Sequence, residues 1–209
     1  MASSDRAAKR RRGLIYLILI GAASLAAVAG LIALQPFGGP LDWTIRAAAL
    51  LGYWFIFLAV VSSNYMREMF LTFGRPFLRV HHIISVAGLV LVTIHPLGVA
   101  VRSSQLAVFV PDVSSWGGFL RLGGRPAWYL IGLGSLAGLM RTRYKKRWRF
   151  VHFLNYVAFL LGTVHGVLIG TDFISPVMTG VGILLAVMVV VVFARKRIQR
   201  YRLTHRKKK

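Results

Sequence analysis

The sequence predicts an all-α integral membrane protein, a six-transmembrane-helix bundle with both termini cytoplasmic. Of its 209 residues, 56% are hydrophobic and 15% charged, against about 45–50% and about 25% in soluble domains. Apolar runs near the 20 or so residues needed to cross a bilayer recur along the chain. The basic residues lie between these runs, in alternate connections, which is typical of a multi-pass membrane protein.

The apolar runs divide the chain into a basic N-terminal segment at 1–13, a transmembrane domain at 14–194 and a basic tail at 195–209. The fourth predicted span is short and rich in glycine, and the longest connection, 102–125, has the length of a single surface loop. The predicted spans are 14–35, 43–65, 77–101, 126–140, 150–170 and 176–194.

The distribution of charge predicts the orientation in the membrane. All but four of the 27 lysines and arginines lie in the N-terminal segment, the 66–79 and 141–149 connections and the tail. Because cytoplasmic loops carry the excess of Lys and Arg, both termini are expected in the cytoplasm, with the protein in the cell (inner) membrane. The net charge of +22 therefore indicates contact with anionic lipid, and nucleic acid is not expected as a partner.

The first span has a second interpretation. Basic residues at 9–12, an apolar stretch and Ala27-Val28-Ala29 are similar to a signal peptide with its cleavage site near residue 29. The apolar run continues to Leu34, beyond a typical signal-peptide core, which favours a retained helix. Cleavage would leave five spans.

Histidines are the candidate functional residues, because ionisable side chains inside a bilayer are costly and mark functional sites. His81 and His95 lie 14 residues apart in the third span, so they share a helix face about 21 Å apart along the axis. His152 and His165 lie 13 apart in the fifth span, about 20 Å along its axis. Since these spans run parallel, the four residues predict two His–His pairs at different depths, which are suited to bis-imidazole ligation of haem iron.

The helical arithmetic leaves some details open. His165 falls about 140° from the face of His152 on an ideal helix, and a π-bulge near Gly162 and Gly166 is the expected remedy. His82 would face away from His95, so it is expected in a secondary role. Pro96 predicts a kink beside His95.

Other chemistries remain as alternatives at this stage. The chain has no cysteine, which excludes disulfides, thiolate-ligated metals and covalently attached c-type haem. A zinc site needs three or four ligands in one cluster, which pairs about 20 Å apart do not offer. Interhelical hydrogen bonding by the histidines stays possible, in a cofactor-free transporter or channel.

The motifs Arg79-Val80-His81 through His95-Pro96, and Arg149-Phe150-Val151-His152 through His165-Gly166, resemble the ferric reductase-like transmembrane domain superfamily. That group includes ferric reductases, NADPH oxidases and the haem-binding membrane subunit of the methionine sulfoxide reductase system. The resemblance implies two b-type haems held by His81, His95, His152 and His165, and electron transfer from a cytoplasmic donor to an extracytoplasmic acceptor.

The resemblance leaves the partners open. The sequence has no Gly-x-Gly-x-x-Gly dinucleotide fingerprint, so the expected donor is a separate flavoprotein, a quinol or a non-covalently bound FMN or FAD. The alternative is a haem subunit that supplies a periplasmic partner such as methionine sulfoxide reductase. Whether the chain is itself an oxidoreductase or an electron-transfer subunit stays open. Arginines at the span ends are candidate haem-propionate partners: Arg79, Arg102, Arg121, Arg125 and Arg149.

Overall fold

The computed structural model describes residues 2–33, 38–73, 77–144 and 147–206. Within these ranges the chain is helical and contains no β-strand. Ten α-helices are described: α1 Ala2–Ala33, α2 Pro40–Ser63, α3 Met66–Phe73, α4 Phe77–Ser103, α5 Trp116–Arg121, α6 Gly124–Leu139, α7 Arg141–Tyr144, α8 Trp148–His152, α9 Leu154–Ile169 and α10 Pro176–Arg206. Short 3₁₀ helices occupy Leu106–Phe109 and Thr171–Ile174.

Four helical segments within the described ranges are long and apolar enough to cross a membrane. These are Pro40–Ser63, Phe77–Ser103, Trp148–Ile169, which joins α8 and α9, and Pro176–Gln199. The all-helical class and these four membrane-spanning candidates confirm the coarse sequence prediction.

The two remaining predicted spans also fall on helices, but neither meets the same criterion of length and apolar composition. Helix α6 has 16 residues, about 24 Å, which is less than the hydrocarbon thickness of about 30 Å. In α1 the apolar stretch found among the described residues is Gly21–Gly30, and the sequence at 14–20 before it is apolar as well. The count of six spans therefore rests on the apolar runs and the charge pattern of the sequence.

The 102–125 connection is more structured than the single surface loop that its length suggests. It contains the 3₁₀ helix and α5, and the Ser115 side chain caps α5 by accepting a hydrogen bond from the Gly118 N–H at 3.0 Å. A serine in extended conformation at this position satisfies one of the free N–H groups of the helix start. This cap fixes the start of α5 within the connection.

Helices α2 and α4 pack closely along most of their length, because glycines on both helices have no side chain to hold the two backbones apart. A Cβ on Gly52 would come within 2.8 Å of Val92, and one on Gly98 within 2.5 Å of Ile45. Small residues allow such close approach of membrane helices. The largest buried core then joins α2 to α6, α9 and α10, with Phe57, Ile131, Phe159 and Val189 among its members.

The start of α2 shows how the local sequence determines an element boundary. Gly39 has a φ of 110°, and Pro40 occupies the first turn of the helix. Glycine adopts positive φ without steric cost, and the fixed φ of proline suits a helix start. Pro96 instead lies inside α4, which continues to Ser103. The kink expected there stays a prediction.

Candidate functional site

The four predicted ligand histidines lie on two neighbouring stretches of helix. His81 and His95 belong to α4, His152 ends α8, and His165 lies on α9. His81 lies close enough to His152 to interact with it electrostatically, and His95 lies similarly close to His165. The structure thus brings the histidines together in the pairs expected from their depths. Their role as ligands stays a prediction.

A tight turn, and not a π-bulge, separates the two histidines of the fifth span. Helix α8 ends at His152, α9 begins at Leu154, and the Tyr156 N–H bonds to the Phe153 carbonyl three residues back at 3.0 Å. Such an i→i−3 bond is that of a 3₁₀ turn, which is tighter than an α-turn. Helix α9 continues as a regular α-helix through Gly162 and Gly166, so the expected π-bulge is wrong.

The imidazoles of three of the four histidines are oriented by backbone carbonyls. Nδ1 of His95 lies 3.2 Å from the Ile45 carbonyl oxygen, Nδ1 of His152 lies 2.8 Å from that of Gly134, and Nδ1 of His165 lies 2.8 Å from that of Arg121. A carbonyl oxygen can only accept, so each Nδ1 carries the proton and donates it. In a neutral imidazole this leaves the Nε2 lone pair free to bind a metal.

His81 is held differently from the other three. Its Nδ1 is buried near the Ala59 carbonyl but has no hydrogen-bond partner among the described residues. Its Nε2 lies 3.5 Å from the Ser85 hydroxyl, one turn along α4. The pair formed by His81 and His152 is therefore less firmly oriented than the pair formed by His95 and His165.

His82 is exposed and turned away from these pairs. Its Nε2 lies 3.5 Å from Nη1 of Arg141, at the start of α7. The secondary role expected for His82 stays a prediction. Its exposed position makes it a suitable control for substitutions at the four half-buried histidines.

A cavity of about 700 Å³ lies between α2, α4, α6 and α9, and both His95 and His165 line it. Its volume falls within the 300–1,000 Å³ range of ligand pockets. Pro96 and Gly162 are also in its lining, and a Cβ on Gly162 would meet nothing within 4 Å. The wall is therefore recessed at Gly162, one turn before His165.

Charged residues line the same cavity, on the elements that flank its His95 end. Arg46 pairs with Asp172 through Nη2 and Oδ1 at 2.5 Å, and their side chains are only 14% and 10% exposed. Arg102 pairs with Asp42 at 2.8 Å in a more exposed position. Arg125 donates to the Val110 carbonyl at 2.7 Å, rather than to a carboxylate. Two of the three guanidinium groups at this end of the cavity are thus paired with carboxylates, and that of Arg125 is hydrogen-bonded to a main-chain carbonyl.

The other arginines singled out by the sequence lie elsewhere. Arg79 and Arg149 are exposed, and Arg149 lies over the Trp148 ring at 5.8 Å from its centroid. Arg121 contributes to the site through its main chain, because its carbonyl oxygen accepts a hydrogen bond from Nδ1 of His165. Of the five arginines proposed from the sequence, Arg102 and Arg125 line the cavity.

Two residues of the site, Arg46 and Asn155, were not predicted from the sequence. Arg46, the seventh residue of α2, lies nearly two turns inside that helix, and its side chain is only 14% exposed. An arginine within an apolar span is itself a signal of a functional site. Asn155, three residues after His152, places its amide 3.2 Å from that imidazole. A polar amide one turn from a candidate ligand in an apolar span could have been noticed.

The described apolar helices, four of them long enough to cross a membrane, and the paired histidines between them define a helical class with a polar site inside the bundle. The sequence profile of DUF8596, described as a domain of unknown function, matches residues 41–172, and the chain belongs to this family. The four predicted ligand histidines lie in the matched region. No curated protein and no solved structure is significantly similar to this chain.

Proposed function

We propose that this protein is a membrane electron-transfer protein that holds b-type haem between α4 and the α8–α9 segment. His95 and His165 would form one axial pair, and His81 and His152 the other. The observation that carries the proposal is the common tautomer of three of these imidazoles, whose Nδ1–H groups donate to carbonyls of Ile45, Gly134 and Arg121. Histidines that bind metals are typically oriented in this way.

The cavity at the His95 end supports the same proposal. It has apolar walls, a recess at Gly162 and two histidines, as a flat apolar macrocycle with an iron centre requires. Arg125, whose guanidinium is hydrogen-bonded to a carbonyl and not to a carboxylate, is the arginine of this cavity best placed to donate a charge-assisted hydrogen bond to a carboxylate of the bound group. Zinc is a poorer fit, since the described residues contain no group of three or more His, Cys, Asp or Glu side chains arranged to hold a metal ion.

When bound, haem would supply a one-electron redox couple inside the bilayer. The protein residues orient the imidazoles, keep their Nε2 atoms unprotonated and shield the site from water with apolar walls. The proposed direction of transfer is from a cytoplasmic flavoprotein, bound flavin or quinol to an extracytoplasmic acceptor, following the resemblance to ferric reductase-like domains.

The proposed topology has six spans, with both termini in the cytoplasm. It rests on the concentration of basic residues in alternate connections. Because the chain has no cysteine, single cysteines report location without background. Ser114→Cys is expected to react with a membrane-impermeant maleimide in intact cells, and Thr142→Cys only after lysis. Reaction of both in intact cells would show that α6 does not cross the membrane.

The main experiment counts haem in detergent-purified protein by the pyridine haemochrome assay. We expect two b-type haems per chain, falling to one in His95→Leu and in His165→Leu, with His82→Leu unchanged as the matched control. Absence of haem after expression with ample haem supply would overturn the proposal. Retention of both haems in His95→Leu and His165→Leu would refute the ligand assignment.

A second candidate is a one-haem subunit that supplies a periplasmic partner such as a methionine sulfoxide reductase. The observation in its favour is His81, whose Nδ1 lacks the carbonyl hydrogen bond that the other three histidines have. In that case the purified protein binds one haem, and His81→Leu leaves the haem content unchanged. Loss of haem in His81→Leu would instead favour the two-haem proposal.

A further inference from the structure

The hydrogen bonds around His152 identify a residue that the histidine pairs alone do not reveal. Nδ1 of His152 lies 2.8 Å from the Gly134 carbonyl and 3.2 Å from Nδ2 of Asn155. The carbonyl requires Nδ1 to carry a proton, and the amide –NH₂ group is itself a donor. With the amide placed this way, two donors face each other.

The other end of the same amide shows the complementary mismatch. Oδ1 of Asn155 is buried and has no donor among the described residues. It lies against Gly134, where an added Cβ would come within 2.5 Å of it. A buried acceptor without a donor is destabilising, because it has lost its hydrogen bonds to water without replacement.

Rotating the amide by 180° exchanges its oxygen and nitrogen, which have nearly the same size, so the packing is preserved. The oxygen then faces the Nδ1–H of His152 at the same 3.2 Å. The donor–donor contact becomes a hydrogen bond, and the imidazole proton is shared between the Gly134 carbonyl and the amide oxygen.

We propose that Asn155 is a positioning residue for His152, with its amide oxygen accepting a hydrogen bond from Nδ1–H and directing Nε2 toward the inner pair. This inference rests on the proposed function for its redox consequence, but its hydrogen bond exists with or without haem. Outer-shell partners of this kind fix ring orientation and tune ligand basicity.

The glycines of α6 leave room for this arrangement. A Cβ on Gly138 would lie 3.1 Å from Nδ1 of His152, and one on Gly134 would collide with the Asn155 amide. Side chains at either position would push the imidazole or the amide out of place. The two glycines, one turn apart on α6, therefore form the wall against which the His152–Asn155 pair is held.

The redox test uses Asn155→Asp and Asn155→Leu in a His95→Leu background, so that the inner haem is the remaining chromophore. A carboxylate accepts the imidazole proton more strongly and favours ferric iron, so Asn155→Asp is expected to raise the ferric-over-ferrous preference about tenfold. This corresponds to a midpoint potential about 59 mV more negative for a one-electron couple. Asn155→Leu is expected to shift it the other way, by less, because the Gly134 carbonyl remains.

The matched control is Asn64→Leu, which removes an amide that donates to the Tyr156 hydroxyl at 2.7 Å and makes no hydrogen bond to a described histidine. It is expected to leave the potential unchanged. Equal potentials in wild type and Asn155→Asp would overturn the positioning role while leaving the haem proposal intact.

A second measurement reads the hydrogen bond in haem-free protein with ¹⁵N-labelled histidine. The Nδ1 resonance of His152 is expected at the protonated position in wild type and to shift in Asn155→Asp and Asn155→Leu, but not in Asn64→Leu. An unchanged resonance in both Asn155 variants would refute the inference whether or not haem binds.

Discussion

Gly124 offers the sharpest test of whether the outer histidine pair is a ligand site. It is the first residue of α6, and an added Cβ would lie 2.8 Å from Cδ2, 2.9 Å from Nε2 and 3.1 Å from Cγ of His165. These three ring atoms leave no room for a methyl group. Gly124→Ala is therefore predicted to displace the His165 imidazole.

The size of the displacement follows from ordinary contact distances. Non-bonded carbon atoms are most stable at about 3.5–4.0 Å, so Cδ2, at 2.8 Å from the added Cβ, must retreat by roughly 0.7 Å or more. The ring is also held by the 2.8 Å bond from Nδ1 to the Arg121 carbonyl, which a shift of this size weakens. Functional sites need their groups within about 0.5 Å of the productive geometry. We expect haem affinity at the outer site to fall by about 10–100-fold, the effect typical of losing a ligand-orienting contact.

The assay is the transfer of haem from purified protein to an excess of a haem-scavenging globin, followed by absorbance. Gly132→Ala is the matched control, because it lies on the same helix and its Cβ would meet nothing within 4 Å. Alanine is favoured over glycine in helices by up to about 1 kcal/mol, so neither variant should unfold the protein. Equal haem loss in Gly124→Ala and Gly132→Ala would refute the reasoning.

Two further predictions concern the charges near the same end of the bundle. Asp172→Asn leaves the Arg46 guanidinium buried without its carboxylate and is expected to lower the free energy of unfolding by about 3 kcal/mol. Asp42→Asn, in the more exposed pair, is expected to lower it by at most about 1 kcal/mol. Unfolding in increasing SDS measures the free energy of unfolding of both variants, and equal decreases would contradict the argument. Hydrogen bonds from the Ser114 hydroxyl and N–H lower the pKa of Asp112, so its ionised form contributes stability above the ordinary pKa of about 3.9 and loses it as the pH falls through the depressed value. Ser114→Ala is expected to raise the pKa of Asp112 toward the ordinary value in a ¹³C NMR titration, and an unchanged titration would contradict this cause.

The helices themselves were predictable, because long apolar runs can satisfy their backbone groups in a membrane only as helices. The predicted third span, 77–101, corresponds to α4 at Phe77–Ser103, and the second, 43–65, to α2 at Pro40–Ser63. The sequence is less informative about α6, because composition alone does not reveal whether a 16-residue helix crosses the bilayer. The interruption between α8 and α9 could not be predicted from the sequence either, because Phe153 is not a residue type that indicates a tight turn.

The sequence predicted which histidines would lie near each other. The spacings in α4 and in α8–α9, together with parallel spans, predict that His81 lies near His152 and His95 near His165, and in the structure each pair is close enough to interact electrostatically. The difference between the pairs was not predictable. It depends on whether a carbonyl from another helix reaches Nδ1, as Arg121 does for His165 and Ala59 does not for His81.

The helical class, the candidate spans and the histidine pairs are predictions of the sequence, since each follows from local composition and the fixed periodicity of a helix. The hydrogen-bond partners of the imidazoles, the cavity beside His95 and His165, and the Arg46–Asp172 pair emerge from the tertiary structure alone. The latter two residues are 126 positions apart, and nothing in a local sequence window encodes such a distance. These features arise from how α2, α4, α6 and α9 pack, which depends on all four helices at once.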